Sequence, residues 1–91
     1  MKSTMGWDKF IENCLQMKTT EELHKFFELT LTVSEWEKIG ARYLILAELI
    51  SGNKTQREIA ADLGVSIFNV TRGANQLKRI DEESKSLISI E

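Results

Sequence analysis

The stretch Thr55-Gln56-Arg57-Glu58-Ile59-Ala60-Ala61-Asp62-Leu63-Gly64-Val65-Ser66-Ile67-Phe68-Asn69-Val70 holds more architectural information than any other part of the chain. Thr55 and Glu58 have capping-box spacing, in which the threonine oxygen accepts from the third helical N–H and the glutamate reaches back to the cap. A short helix carrying Ile59, Ala60 and Leu63 therefore opens here. It ends at Gly64, where a tight exit demands a positive φ. Ser66 then caps a further helix beginning at Ile67. Counted from Gln56, the fourth residue is apolar (Ile59), the fifth small (Ala60), the eighth apolar (Leu63), the ninth glycine (Gly64), and the tenth and fifteenth apolar (Val65, Val70). This is helix-turn-helix spacing: the small residue lets the second helix cross the first, glycine makes the turn, and the apolar positions lock the angle.

The eighteenth position of the unit, ordinarily bulky and apolar, is Gly73, directly after Arg72. Glycine inside a helix costs about 1 kcal/mol relative to alanine, so a compensating feature is expected. Another backbone approaches closely, a ligand lies against that face, or the glycine only relieves crowding. Arg72 suits a ligand carboxylate or a DNA phosphate, because both accept paired hydrogen bonds from a guanidinium.

Upstream of Thr55 the pattern is also helical. The chain has no proline and five glycines, and no stretch alternates apolar with polar residues long enough to make a strand. Trp7, Phe10, Ile11, Cys14 and Leu15 form a stripe of helical period, predicting a helix from Gly6 to near Lys18. Thr19 and Glu22 cap a second helix to about Leu29 that buries Leu23, Phe26 and Phe27. Thr32 and Glu35 open a long third helix with Trp36, Ile39, Tyr43, Leu46, Ala47 and Ile50 on one face, closed by Gly52. After Asp81 only Leu87, Ile88 and Ile90 remain as an apolar stripe, which predicts a short or frayed last helix.

With 91 residues, 42% hydrophobic and 29% charged, the composition is that of one small globular domain. A chain this short usually needs disulfides, a metal or a partner subunit to reach comfortable stability. A single cysteine, Cys14, makes no internal disulfide, and with a single histidine, His24, it leaves no zinc set. The remaining option is a partner subunit. No apolar run reaches membrane-spanning length and the start lacks the apolar core of a secretory signal, so a cytoplasmic protein is expected. No nucleophile–base pair is apparent, and His24 lies in a polar stretch, which argues against an enzyme.

Charge is partitioned along the chain. Residues 1–51 hold six basic and eight acidic side chains, residues 52–79 five and two, and residues 80–91 one and four, giving −2, +3 and −3. The basic third coincides with the helix-turn-helix, where an anion would be held. In that arrangement the helix from Ile67 lies in the major groove, with Ile67, Phe68, Asn69 and Thr71 facing or flanking bases. Arg57 reaches a guanine from the preceding helix, alongside Gln56, while Lys54, Lys78 and Arg79 suit phosphates. Alternatively Phe68 packs on the core, and Lys78 and Arg79 serve as C-terminal cations of their helix.

The run Thr55-Gln56-Arg57-Glu58-Ile59-Ala60, then Val70-Thr71-Arg72-Gly73-Ala74-Asn75-Gln76-Leu77-Lys78, preceded by Leu29-Thr30-Leu31-Thr32 and Gly40-Ala41-Arg42, resembles the tryptophan operon repressor family. The likeness extends, less tightly, from Trp7 to Lys78. Its most specific part is Thr71-Arg72-Gly73-Ala74-Asn75, with an arginine thirty residues upstream. The resemblance implies an all-α, intertwined homodimer of about six helices per chain. Residues 1–52 would form the helical dimerisation core, 53–79 the helix-turn-helix and 80–91 a short C-terminal helix or tail, all within one domain.

It further implies a repressor of tryptophan biosynthesis or transport genes that binds palindromic double-stranded operator DNA, with L-tryptophan as corepressor and no other cofactor. The indole would lie between Arg42 and Arg72, with Arg72 also pairing with the carboxylate and Thr32 assisting. Backbone carbonyls of Leu29 and Leu31 from the other subunit would take the ammonium, and Gly73 would let the ring approach. Gln76 stands where the best-known members have a serine that helps hold the amino group. Asn69, Phe68 and Ala60 replace a threonine, an alanine and a lysine, so operator sequence is expected to differ. Two other readings fit the same residues: a helix-turn-helix regulator sensing another ligand or none, and a helical adaptor that binds only proteins.

Overall fold

In a computed structural model, residues 3–88 are described. They form six α-helices and no strand: α1 (Ser3–Gln16), α2 (Thr20–Thr30), α3 (Val33–Ser51), α4 (Gln56–Leu63), α5 (Ile67–Leu77) and α6 (Glu82–Lys85). The chain divides into two compact units, Met1–Trp36 and Glu37–Glu91, with the boundary inside α3.

In the first unit, Thr19 caps α2, its hydroxyl oxygen accepting from the Glu22 N–H at 3.0 Å while Glu22 accepts from the Lys18 N–H at 2.7 Å. At the start of α3, Glu35 N–H donates to the Thr32 hydroxyl oxygen at 3.1 Å and Thr32 N–H donates to the Glu35 carboxylate at 2.8 Å. Both signals legible in the sequence are therefore made, and α1 begins three residues ahead of Gly6 and ends two short of Lys18. Phe10 stacks on Trp7, Phe26 and Phe27 at centroid separations of 5.5, 5.3 and 5.9 Å. These rings join α1 to α2, yet Leu23, Phe26 and Phe27, expected to be buried, are only half-buried. Trp7 and Leu15 stay 62% and 81% exposed, so two helices alone do not close over the stripe.

The second unit holds the core. Ile45, Ile59 and Val70 are buried, with Leu49, Ala60, Leu63 and Val65 packed around them. Every apolar or small position of the helix-turn-helix count thus lies in one cluster, and burying an Ile or Val side chain contributes about 1.5–3 kcal/mol. The Thr55–Glu58 capping box is complete. Gly64 adopts φ 67°, ψ 34°, the left-handed exit for which it was selected from the sequence. Ser66 accepts from the Asn69 N–H at 3.2 Å and so opens α5.

One expectation for α3 needs revising. Of the stripe, Ala47 is buried and Leu46 and Ile50 are half-buried, but Trp36, Ile39 and Tyr43 are exposed, and Ile45, which is not part of it, is buried. Residues 43–47 are apolar on every side, so periodicity alone does not say which face meets α4 and α5. The last helix is one turn long, capped by Asp81, with Leu87 exposed after it. Ile90 lies outside the described residues.

Candidate functional site

A crevice with a volume of about 540 Å³ opens between α3 and α5 within the second unit. This lies in the range of small-molecule sites. Its α3 wall is Lys38, Ala41, Arg42 and Ile45, at steps of i, i+3, i+4 and i+7. Its α5 wall is Asn69, Arg72, Gly73 and Gln76, at the same steps, with Leu46 and Val65 completing the lining. That spacing puts each set on one helix face. Three cations and no carboxylate line the crevice. Ile45 is buried while Arg42 and Arg72 are exposed, giving an apolar floor beneath a cationic rim. The arrangement suits a flat apolar body bearing an anionic group.

Arg42, Arg72, Gly73 and Gln76, predicted for the ligand, are thereby brought together. Leu29, Leu31 and Thr32 belong to the first unit. The Thr32 hydroxyl oxygen already accepts from the Glu35 N–H, leaving its proton to donate. Lys38, Ala41, Ile45, Leu46 and Val65 join the lining without a ligand role read from the sequence, and Asn69, read from the sequence as a DNA contact, lines it too. Extending the helical steps from Arg42 and from Gly73 would have found Lys38, Ile45 and Asn69.

Gly73 gains a steric explanation. A Cβ built there would stand 3.0 Å from Ile45 Cγ2, 3.3 Å from Leu49 Cδ1 and 3.7 Å from Leu46 Cδ2. The glycine therefore sits where α5 runs close against α3. The atoms that crowd this position are side chains of α3 and not another backbone, so the backbone approach considered from the sequence is replaced by side-chain packing.

The residues predicted for DNA occupy the exposed side of α4 and α5. Gln56, Arg57, Ile67, Phe68, Asn69, Thr71 and Lys78 are all exposed. Thr71 hydroxyl donates to Gln56 Oε1 at 2.8 Å, which ties the start of α4 to α5 and leaves the Gln56 amide N–H donors free to point outward. Phe68 does not pack on the core. Its ring is 66% exposed, with the Arg72 guanidinium carbon over it at 5.1 Å from the centroid.

Lys54 is placed differently from an open phosphate contact. Its Nζ lies 2.9 Å from Glu48 Oε2 and 2.8 Å from Asp62 Oδ2, joining the end of α3, the turn and α4. Hydrogen bonds to Asp62, then to Glu48, raise its pKa above the ordinary lysine value. Lys78 is the C-cap of α5 and remains compatible with either of its sequence readings.

No helix among the described residues is long and apolar enough to cross a membrane, and no group of three or more potential metal ligands occurs among them. A family model described as "Trp repressor protein" matches residues 5–90. The chain is 47% identical over 83 residues to the "Trp operon repressor homolog" of Chlamydia caviae, covering 91% of this chain and 82% of that protein. It is 41% identical over 86 residues to that of Chlamydia trachomatis serovar D, covering 94% and 92%. It is 32% identical over 84 residues to that of Vibrio parahaemolyticus, covering 92% and 82%.

Proposed function

The chain belongs to the Trp repressor family, and from that membership we propose that it is a tryptophan-responsive transcriptional repressor, not an enzyme, which binds palindromic operator DNA as a homodimer. L-tryptophan is the corepressor. The observation that carries this reading is the crevice: Arg42 and Arg72 stand on opposite walls, and one wall is the helix that would read DNA.

The roles follow from the chemistry of each group. The indole lies over the apolar floor of Ile45 and Gly73 with a guanidinium on either side, a placement favoured by the ring's electron-rich faces. Arg72 pairs with the carboxylate, Gln76 offers an amide oxygen, and the Thr32 hydroxyl donates. Leu29 and Leu31 of the partner subunit lie at the C-terminal end of α2. The last carbonyls of a helix lack intrahelical partners and carry its negative dipole end, so they suit an ammonium.

Burial supports the homodimer. Among the described residues thirteen large apolar side chains are at least 40% exposed, ten of them between Met5 and Leu44. A monomeric soluble protein of this size rarely leaves so many large apolar side chains open to water. Interlocking these helices with a second copy would give a single domain with two reading heads. The cytoplasmic location expected for such a regulator follows from its operator.

The mechanism is a population shift: tryptophan binds more tightly to the arrangement in which the two heads match successive major grooves, and operator DNA in turn tightens tryptophan binding. Gln56, Arg57, Ile67, Phe68, Asn69 and Thr71 meet bases or their flanks, and Lys78 meets phosphate. Lys54 contributes to the same surface by holding the turn.

A footprint on the region upstream of tryptophan genes, titrated with the amino acid, tests DNA, ligand and target together. Protection should require L-tryptophan and weaken steeply with salt. Operator affinity indifferent to tryptophan would leave a helix-turn-helix regulator of another signal, and salt-independent or absent DNA binding would leave a protein-binding adaptor. Calorimetry on Arg72→Leu supplies the ligand half of the test, since undiminished heat would remove the carboxylate partner.

A further inference from the structure

Resting on the reading of the crevice as the ligand site, we propose that Phe68 is a positioning residue for the ligand: its ring holds the Arg72 guanidinium from outside the crevice, so the arginine meets the amino-acid carboxylate already oriented. Long side chains on a helix lean toward its N-terminus, over the residues three and four positions earlier. For Arg72 these are Asn69 and Phe68. Asn69 lines the crevice and Phe68 does not, so the guanidinium is flanked by the cavity on one side and the ring on the other.

Among the described residues Arg72 makes no ion pair with a carboxylate, and its guanidinium carbon lies over the Phe68 ring at 5.1 Å from the centroid. An arginine without a partner samples many rotamers, and a ligand that needs one of them must offset that loss of freedom. A carboxylate at position 68 would restrain the arginine more firmly but would occupy the N–H donors and the charge the ligand needs. An aromatic face attracts the cation while leaving it unneutralised. This gives a physical use to a ring that is 66% exposed and takes no part in the core. The same ring stands at the second residue of α5, so the reading surface and the ligand cation touch directly.

The experiment is calorimetric titration of L-tryptophan into the full-length chain, wild type and with Phe68→Leu, Phe68→Tyr or Phe68→Glu. Phe68 is exposed, so none of these changes threatens the fold. Phe68→Leu keeps apolar bulk without the ring and should weaken binding about two- to fivefold, the factor that an exposed cation–π contact represents. Phe68→Tyr should bind like wild type, and Phe68→Glu should bind more weakly than Phe68→Leu despite restraining Arg72. The Arg72 side-chain protons should show an upfield ring-current shift in wild type and Phe68→Tyr that Phe68→Leu abolishes. Unchanged affinity in Phe68→Leu, or equal loss in the leucine and tyrosine variants, overturns the role of the ring while the ligand site stands. A wild-type protein that takes up no L-tryptophan overturns the ligand reading and this inference together.

Discussion

Replacing Gly73 with alanine sets two effects of known sign against each other. Helix propensity alone favours Gly73→Ala by about 1 kcal/mol, because Gly73 lies in the interior of α5. The added Cβ, however, meets Ile45 Cγ2 at 3.0 Å and Leu49 Cδ1 at 3.3 Å. Leu49 is half-buried and can swing its terminal methyl aside. Ile45 cannot easily do so: it is 4% exposed, and a β-branched side chain in a helix has one strongly preferred χ1, which fixes Cγ2. Relief must come from α5 moving off α3, and overpacking of that kind costs about 1–3 kcal/mol. The steric term wins, leaving Gly73→Ala destabilised by about 1 kcal/mol, or ~4–8 °C in Tm for a chain of this size.

Urea denaturation at fixed protein concentration measures this, concentration being held because an oligomer's stability depends on it. A double-mutant cycle supplies the discriminating arm. Ile45→Leu conserves volume but removes the Cγ2 branch, so in its presence Gly73→Ala should become neutral or stabilising, with a coupling of about 1–2 kcal/mol. If Gly73→Ala raises stability in the otherwise wild-type protein, or costs the same with and without Ile45→Leu, the close approach of α5 to α3 is not why glycine stands there.

Three further outcomes follow from the same coordinates. Ile59→Ala, at a fully buried position joining α4 to the core, should cost about 2–5 kcal/mol in urea denaturation, whereas Arg57→Ala, at an exposed position of the same helix, should be nearly silent. Lys54→Met should loosen the α3–α4 turn, seen as faster amide exchange there. Because the partners of Lys54 raise its pKa, its contribution is fully present below the ordinary value of 10.5 and is lost only as pH rises through the raised one, so the difference from wild type should hold across neutral pH and shrink with added salt. Asp81 behaves with the opposite sign: hydrogen bonds from Ser84 hold its carboxyl below the ordinary 3.8, so its cap on α6 should persist above that value and fail as pH falls through the lower one, read from exchange of the Ser84 amide.

How far the sequence carried differs between the two units for a physical reason. Between Thr55 and Val70 the local signals and the burial pattern agree: capping residues, a left-handed glycine and five core positions all point to one geometry, and the structure has it. In α1 and α2 the local signals were equally clear, but burial was not, since Trp7, Ile11 and Leu15 stay largely exposed within their own unit. Periodicity reports which face is apolar and is silent on what meets it. Arg72 drew attention as the neighbour of an unexplained helical glycine, whereas Arg42 was proposed only through family likeness, because an exposed arginine has no periodicity of its own. Lys54 was misleading for a related reason: the sequence shows a cation in a basic region, and the two carboxylates that claim it come from six residues before and eight residues after.

The seam between α3 and α5 explains why a small ligand could matter so much to a DNA-reading unit. Gly73 and Ile45 both line the crevice, and the space for a side chain at position 73 is taken by Ile45, so the cavity borders the seam where α5 packs on α3. Ile59 and Val70 lock α4 to α5, and the Thr71–Gln56 hydrogen bond ties them again near their exposed surface, so the two helices tilt together. On the proposed reading, a ligand held between Arg42 and Arg72 would act on that seam, and through it on the orientation of α4 and α5 together. Its leverage equals the difference between its affinities for the two angles, and each tenfold difference shifts the balance by about 1.4 kcal/mol. A packed seam with a preformed cavity converts modest binding selectivity into orientation. A loosely packed one would let the crevice close around the ligand while α4 and α5 stayed where they were.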